Sequence, residues 1–174
     1  MDGSEFSLPD AKHGVRQIEV PIALRALCTL PRIDYADTFV LETRPGDART
    51  PEEWARAILE GAPAALRIKL LLGWSAIGLK VTYGHSARAV LGWEVRASGP
   101  EFVLLGADSR IGMPGQLLFK PERDVLVFAT FVQQDNSVAR GVWAATESTH
   151  VPVVRNLLEQ AGRRFVPAHG PSPF

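Results

Sequence analysis

Residues 91–146 form a succession of β-patterned runs separated by short turns, and no other feature of the chain limits its possible folds as much. Residues 91–98 alternate: Leu91, Trp93, Val95 and Ala97 share one side, Glu94 and Arg96 the other. That period of two marks a strand with one buried face. Gly99-Pro100 turns the chain into residues 101–107, and the loop Gly112-Met113-Pro114-Gly115 leads to residues 117–120. A turn over residues 121–124 opens the long run 125–133, and Asp135-Asn136-Ser137 opens the run 138–146. Strands joined by such short turns are antiparallel neighbours, so an antiparallel meander is expected here.

The flanking segments are mostly helical. Residues 35–43 are one further strand, with Phe39 and Leu41 alternating against Thr38, Val40 and Glu42, and Pro45-Gly46-Asp47 ends it. Thr50-Pro51-Glu52-Glu53 is a helix start: Thr50 caps, Pro51 supplies the φ wanted in the first turn, and Glu53 closes a capping box. Trp54, Ala57 and Ile58 make its apolar face, Gly61 stops it, and Pro63 begins a second helix. Leu66, Leu70, Trp74 and Ile77 form a stripe there, which Ile68, Leu71 and Leu72 widen until most of the circumference calls for burial. The apolar run 70–79 is far shorter than the roughly 20 residues of a membrane span, so a buried helix is expected. Ser148 or Thr149 is read as the cap of the last helix, with Pro152 in its first turn. Val154, Leu157, Leu158, Ala161 and Phe165 then form one stripe, opposite Arg155, Asn156, Glu159 and Arg163.

Segregated strands and helices indicate an α+β fold. The expected form is a curved antiparallel sheet wrapped around a long C-terminal helix, with two short helices after strand 1. The single domain spans 35–166. Residues 7–34 form an N-terminal extension in which 20–22 read as extended and 24–30 as either helix or strand. Gly3-Ser4-Glu5-Phe6 is what two adjacent common cloning sites encode, so residues 1–6 read as an expression scar. Residues 167–174, with Pro171-Ser172-Pro173, read as a disordered tail.

Composition removes several functional classes. Nineteen basic residues balance nineteen acidic ones, without the basic surplus of a nucleic-acid binder. Cys28 is the one cysteine, so no disulfide forms within the chain, and it suits a reducing, cytoplasmic setting. His13, His85, His150 and His169 lack paired metal-ligand spacing, and no metal is expected. No G-x-G-x-x-G or P-loop pattern is present, and no cofactor is implied.

Several short stretches carry a resemblance: Tyr35-Ala36-Asp37-Thr38-Phe39, Thr50-Pro51-Glu52-Glu53-Trp54-Ala55, Ala129-Thr130-Phe131-Val132, Gly141-Val142-Trp143 and His150-Val151-Pro152. In these and in element order the chain resembles the helix-grip or START-like (SRPBCC) superfamily of the birch pollen allergen and polyketide cyclases, and within it an uncharacterised bacterial branch. The resemblance covers 35–165 and implies an apolar cavity between sheet and long helix, for a lipid-, sterol- or polyketide-like molecule. It carries over no catalytic residue.

Within that frame the expected pocket lining is Trp93, Phe102, Phe119, Phe128, Phe131 and Trp143 from the sheet, with Val154, Leu157, Leu158 and Ala161 from the helix. His150, expected at the opening of the last helix, is the candidate base or ligand contact, and Glu147 the candidate that orients it. Glu94, Arg96, Asp108, Arg110 and Arg140 are expected to face solvent. Residues 125–132 are apolar on both faces, so the second face needs cover from the helical pair or a second subunit. Three functions stay open: carriage or sensing of an apolar small molecule, a cyclase- or dehydratase-type enzyme using His150 with Glu94, Glu147 or Arg140 assisting, and a dimeric interaction protein with a closed core.

Overall fold

Residues 14–165 are described by the computed structural model. The scar over 1–6, the start of the extension and the tail over 167–174 lie outside them, as do His13 and His169. In chain order the elements are β1 (Val15–Ile18), α1 (Ile22–Arg25), β2 (Tyr35–Glu42), α2 (Pro51–Leu59), α3 (Ala64–Ala76), β3 (Ala89–Val90), β4 (Trp93–Ser98), β5 (Val103–Ala107), β6 (Gly115–Glu122), β7 (Val125–Val132) and α4 (Ser137–Phe165). All strands join one antiparallel, curved sheet in the order β1-β2-β7-β6-β5-β4-β3. The fold is therefore α+β, with the sheet set against a long C-terminal helix and two shorter helices after β2.

Register decides which residues face the helices. Phe39 pairs with Phe128, which pairs with Phe119, which pairs with Val103. The neighbouring row is Asp37, Thr130, Leu117 and Leu105. Both rows turn toward α2 and α4, where Trp54, Ile58, Leu157, Leu158 and Ala161 complete the main core. Full burial of each such side chain contributes roughly 1.5–3 kcal/mol. The expected capping box of α2 is present: Glu53 N–H donates to Thr50 Oγ1 at 3.2 Å, and Thr50 N–H to Glu53 Oε2 at 2.8 Å.

The opposite sheet face is covered by the chain's own N-terminal arm. Leu24 is buried against Leu104, Leu118, Val127, Ala129 and Phe131, and Val20, Leu27, Leu30 and Ile33 pack beside it. Polar side chains on that face anchor the arm: Thr29 N–H donates to Gln116 Oε1 at 2.9 Å, and Arg32 N–H to Gln133 Oε1 at 3.3 Å. The second face of β7 thus has its cover in cis, not from the helical pair. Arg155 also reaches from α4 to the Val15 carbonyl at 2.9 Å and holds the edge strand β1.

Two expectations about helices are corrected. The run 138–146 is the beginning of α4, not a strand, and Arg140 and Trp143 are helical. Asn136 is the reason: its Oδ1 accepts from Ala139 N–H at 2.9 Å, the geometry of an N-cap. The same side chain donates to the Ile111 carbonyl at 2.9 Å. Gly112 permits this approach, since a Cβ there would lie 2.6 Å from Asn136 Nδ2. The apolar stripe of α4 consequently starts at Ala139 and Trp143. His150 stands in mid-helix, and Pro152 is an interior proline. Pro152 has no N–H for the Ser148 carbonyl, a loss made tolerable because Ser148 is exposed to water. Helix α3 is the second correction. Of its residues only Leu70 is fully buried, while Ile68 and Leu72 are 58% and 61% exposed.

Candidate functional site

Asp37 lies on the helix-facing side of β2, between Tyr35 and Phe39, and is almost wholly buried. A carboxylate placed there is unfavourable unless matched by hydrogen bonds or charge. His150 supplies the match from α4, two helical turns beyond Trp143, with Nε2 2.8 Å from Asp37 Oδ2. The Tyr35 hydroxyl donates to the same oxygen at 2.9 Å. The Trp143 ring closes over the group, 4.6 Å from Tyr35 and 5.3 Å from His150 between ring centres. Burial, and after it the negative charge of Asp37, pushes the Tyr35 hydroxyl well above the ordinary tyrosine range, so it remains a donor.

A carboxylate only accepts, so beside an ionised Asp37 the imidazole donates through Nε2, and in a neutral ring Nδ1 is then the acceptor. Among the described residues Nδ1 has no hydrogen-bond partner. The arrangement is an imidazole held in place by a buried carboxylate.

Two voids meet at this ring. An outer groove of about 350 Å³ runs between α3 and α4, with Leu66, Leu70, Gly73, Trp74, Ile77 and Val153 as its apolar walls. An inner cavity of about 50 Å³ lies between the helices and the sheet, bounded by Trp93, Met113, Leu117, Thr130 and Val132. Trp74, Ile77, Trp143 and His150 border both. Among the described residues Trp93 Nε1, Trp143 Nε1, Thr130 Oγ1 and Asp37 Oδ1 are closed off from water and have no hydrogen-bond partner. Lys69 lines the outer groove, and among the described residues no lysine or arginine lines the inner cavity. A third depression, about 340 Å³ and lined by Glu60, Arg67, Thr82 and His85, lies near α3 and shares no lining residue with the groove.

The residues singled out from the sequence fall into distinct places. Trp93, Trp143 and His150 border the voids. Phe119 and Phe128 face the helices but pack on each other at 5.0 Å, inside the solid core. Val154, Leu157, Leu158 and Ala161 are buried in that same core, while their neighbours Val153 and Asn156 line the groove. Phe102 and Phe131 belong to the far face, under the N-terminal arm, and do not reach the voids. Glu147 is exposed and does not hold His150, whose partner is Asp37. Arg96 bridges Glu94 and Asp108 at 3.2 and 3.0 Å on the water-facing side, where those two carboxylates are largely exposed.

Asp37 joins the candidate site although the sequence does not single it out. Its signal was parity: Tyr35, Asp37, Phe39 and Leu41 share one face of a strand, and an acid on the apolar face needs a partner. Among the described residues no group of three or more His, Cys, Asp or Glu is placed to hold a metal, and no helix is long and apolar enough to cross a membrane. Comparison of the chain with protein-family models and with curated proteins gives no match.

Proposed function

We propose that the protein binds a predominantly apolar small molecule, lipid-, sterol- or polyketide-like, in the groove between α3 and α4. Its polar group would enter the inner cavity beside His150. One observation carries this reading: a groove of about 350 Å³ with apolar walls adjoins an inner cavity at Trp74, Ile77, Trp143 and His150. The resemblance to the helix-grip superfamily supports the same reading, because the cavity there lies between sheet and long helix. Native mass spectrometry of the freshly purified protein, followed by organic extraction, tests it. A defined apolar molecule held near one per chain is the expected result. A bare mass, with no uptake from a panel of lipids and aromatic compounds, would refute it.

Self-association through α3 is a second reading, favoured by the exposure of Ile68 and Leu72 on one helical face. Light scattering across a concentration series should then show a dimer that Leu72→Lys disrupts. A monomer at every concentration would count against it.

A further inference from the structure

The depression on the other flank of α3 holds a cation that the described chain does not neutralise. Arg67 lines it, and among the described residues its guanidinium has neither an ion pair nor a hydrogen bond. Nε is closed off from water, whereas Nη1 and Nη2 keep accessible surface. Among the described residues Glu60 is the one acid that lines the depression, and it is already engaged. It accepts from Arg56 Nη1 at 3.1 Å and from Leu91 N–H at 3.2 Å. A partly buried charge without a counter-charge is unfavourable, and the planar fork of an arginine matches a carboxylate through two parallel hydrogen bonds. The other walls are largely apolar, with Ile68, Leu71 and Leu91 as the large side chains. Leu91 stands at φ 44°, a left-handed conformation that a bulky residue seldom adopts, and its bond to Glu60 holds it there. Ala64 brings the first turn of α3 to the edge, and that turn has no acidic residue and no side-chain cap. The positive end of the helix therefore adds to Arg67.

We infer that this depression is a second binding site, separate from the groove, for an aliphatic monocarboxylate of medium chain length. The carboxylate pairs with Arg67 Nη1 and Nη2, and the chain lies on Ile68, Leu71 and Leu91. The volume, about 340 Å³, is at the lower end of the range of small-molecule sites. A single negative charge suits the site better than two. Glu52 and Glu60 share Arg56 as their cation, so that cluster keeps one negative charge beside the depression and disfavours a dianion such as phosphate. The site uses neither His150 nor the groove, and the exposure of Ile68 is accounted for by the chain that covers it.

The test uses the whole chain, titrated with octanoate, 1-octanol and inorganic phosphate and followed by backbone-amide NMR. Octanoate should give saturable shifts at Gly84, His85 and Gly92. The alcohol has the same chain without the charge and should bind there at least about tenfold more weakly, the scale of a charge-assisted hydrogen bond. Phosphate should also bind more weakly than octanoate. Arg67→Gln should weaken octanoate at least about tenfold while 1-octanol stays within about threefold, a split that mere loosening of the fold would not produce. Gly73→Leu, on the groove side of α3, should leave the octanoate shifts at these amides unchanged. Octanoate shifts confined to Gly73, Thr146 and Asn156 would overturn this site and leave the groove reading standing. The site is equally overturned by 1-octanol binding there as tightly as octanoate, by undiminished octanoate binding in a folded Arg67→Gln protein, or by the absence of saturable shifts. Phosphate held there as tightly as octanoate would overturn the assignment to an aliphatic monocarboxylate.

Discussion

Gly73→Leu separates the groove from the stability of the fold. Gly73 lies inside α3 and lines the groove, and a Cβ built on it meets no atom within 4 Å. Leucine is favoured over glycine in a helix interior by about 0.8 kcal/mol. For a domain of this size each kcal/mol shifts Tm by about 2–4 °C, so the variant should melt slightly higher than the wild type. Its side chain would project into space that a ligand uses. If it removes about 60–100 Å² of apolar contact, the loss at about 25 cal/mol per Å² is about 1.5–2.5 kcal/mol. That corresponds to a Kd weakened roughly 10- to 70-fold. A fluorescence titration with an apolar ligand and a thermal melt on the same preparation give both quantities. Unchanged affinity at unchanged stoichiometry would refute the groove as the site. A Tm lowered by several degrees would refute the open surroundings of Gly73.

Two further predictions concern the arm and the dyad. Leu24→Ala removes the arm's buried leucine from the far face of the sheet and should cost about 2–5 kcal/mol in denaturant unfolding; a loss below about 1 kcal/mol would show that the arm contributes little cover. Tyr35 has its pKa raised by burial and by Asp37, so the folded state favours the neutral phenol. The associated stability is complete below the unfolded value of about 10 and is lost as pH climbs above it through the folded value. Urea unfolding at a series of pH values from neutral to above 10 should show a decline that is shallower in Tyr35→Phe, and identical slopes would contradict the assignment.

The parts legible in the sequence were those set by local chemistry. Thr50 to Glu53 specified the start of α2 through side chains three residues apart, and the turns between residues 91 and 133 specified hairpins. The stripe Val154, Leu157, Leu158 and Ala161 faces the core as its period requires. Misreadings arose where two patterns overlapped. Val138 and Val142 are β-branched and Gly141 weakens a helix, so 138–146 resembled a strand. Yet Ala139, Trp143, Thr146, His150 and Val154 keep helical spacing throughout, and the Asn136 cap decides the outcome. The run in α3 was apolar enough for burial on most sides, but only one flank has core to meet. His150 was recognisable as a titratable group near a cavity. Glu147, three residues away, is the nearest acid in sequence, whereas the partner Asp37 stands 113 residues away, on a strand whose alternation is its one signal.

The arm over the far sheet face also imposes an order of events during synthesis. Cys28 and its neighbours dock on Gln116, 88 residues later in the chain. At about 5–20 residues per second, roughly 4–18 s separate the making of the arm from the making of its dock. For that interval Leu24, Leu27 and Leu30 have no surface of their own to bury against. The cover depends on contacts distant in sequence, whose loop-closure entropy delays them relative to the local hairpins. The arm is thus made well before its dock and is among the last parts of the described fold to find its place.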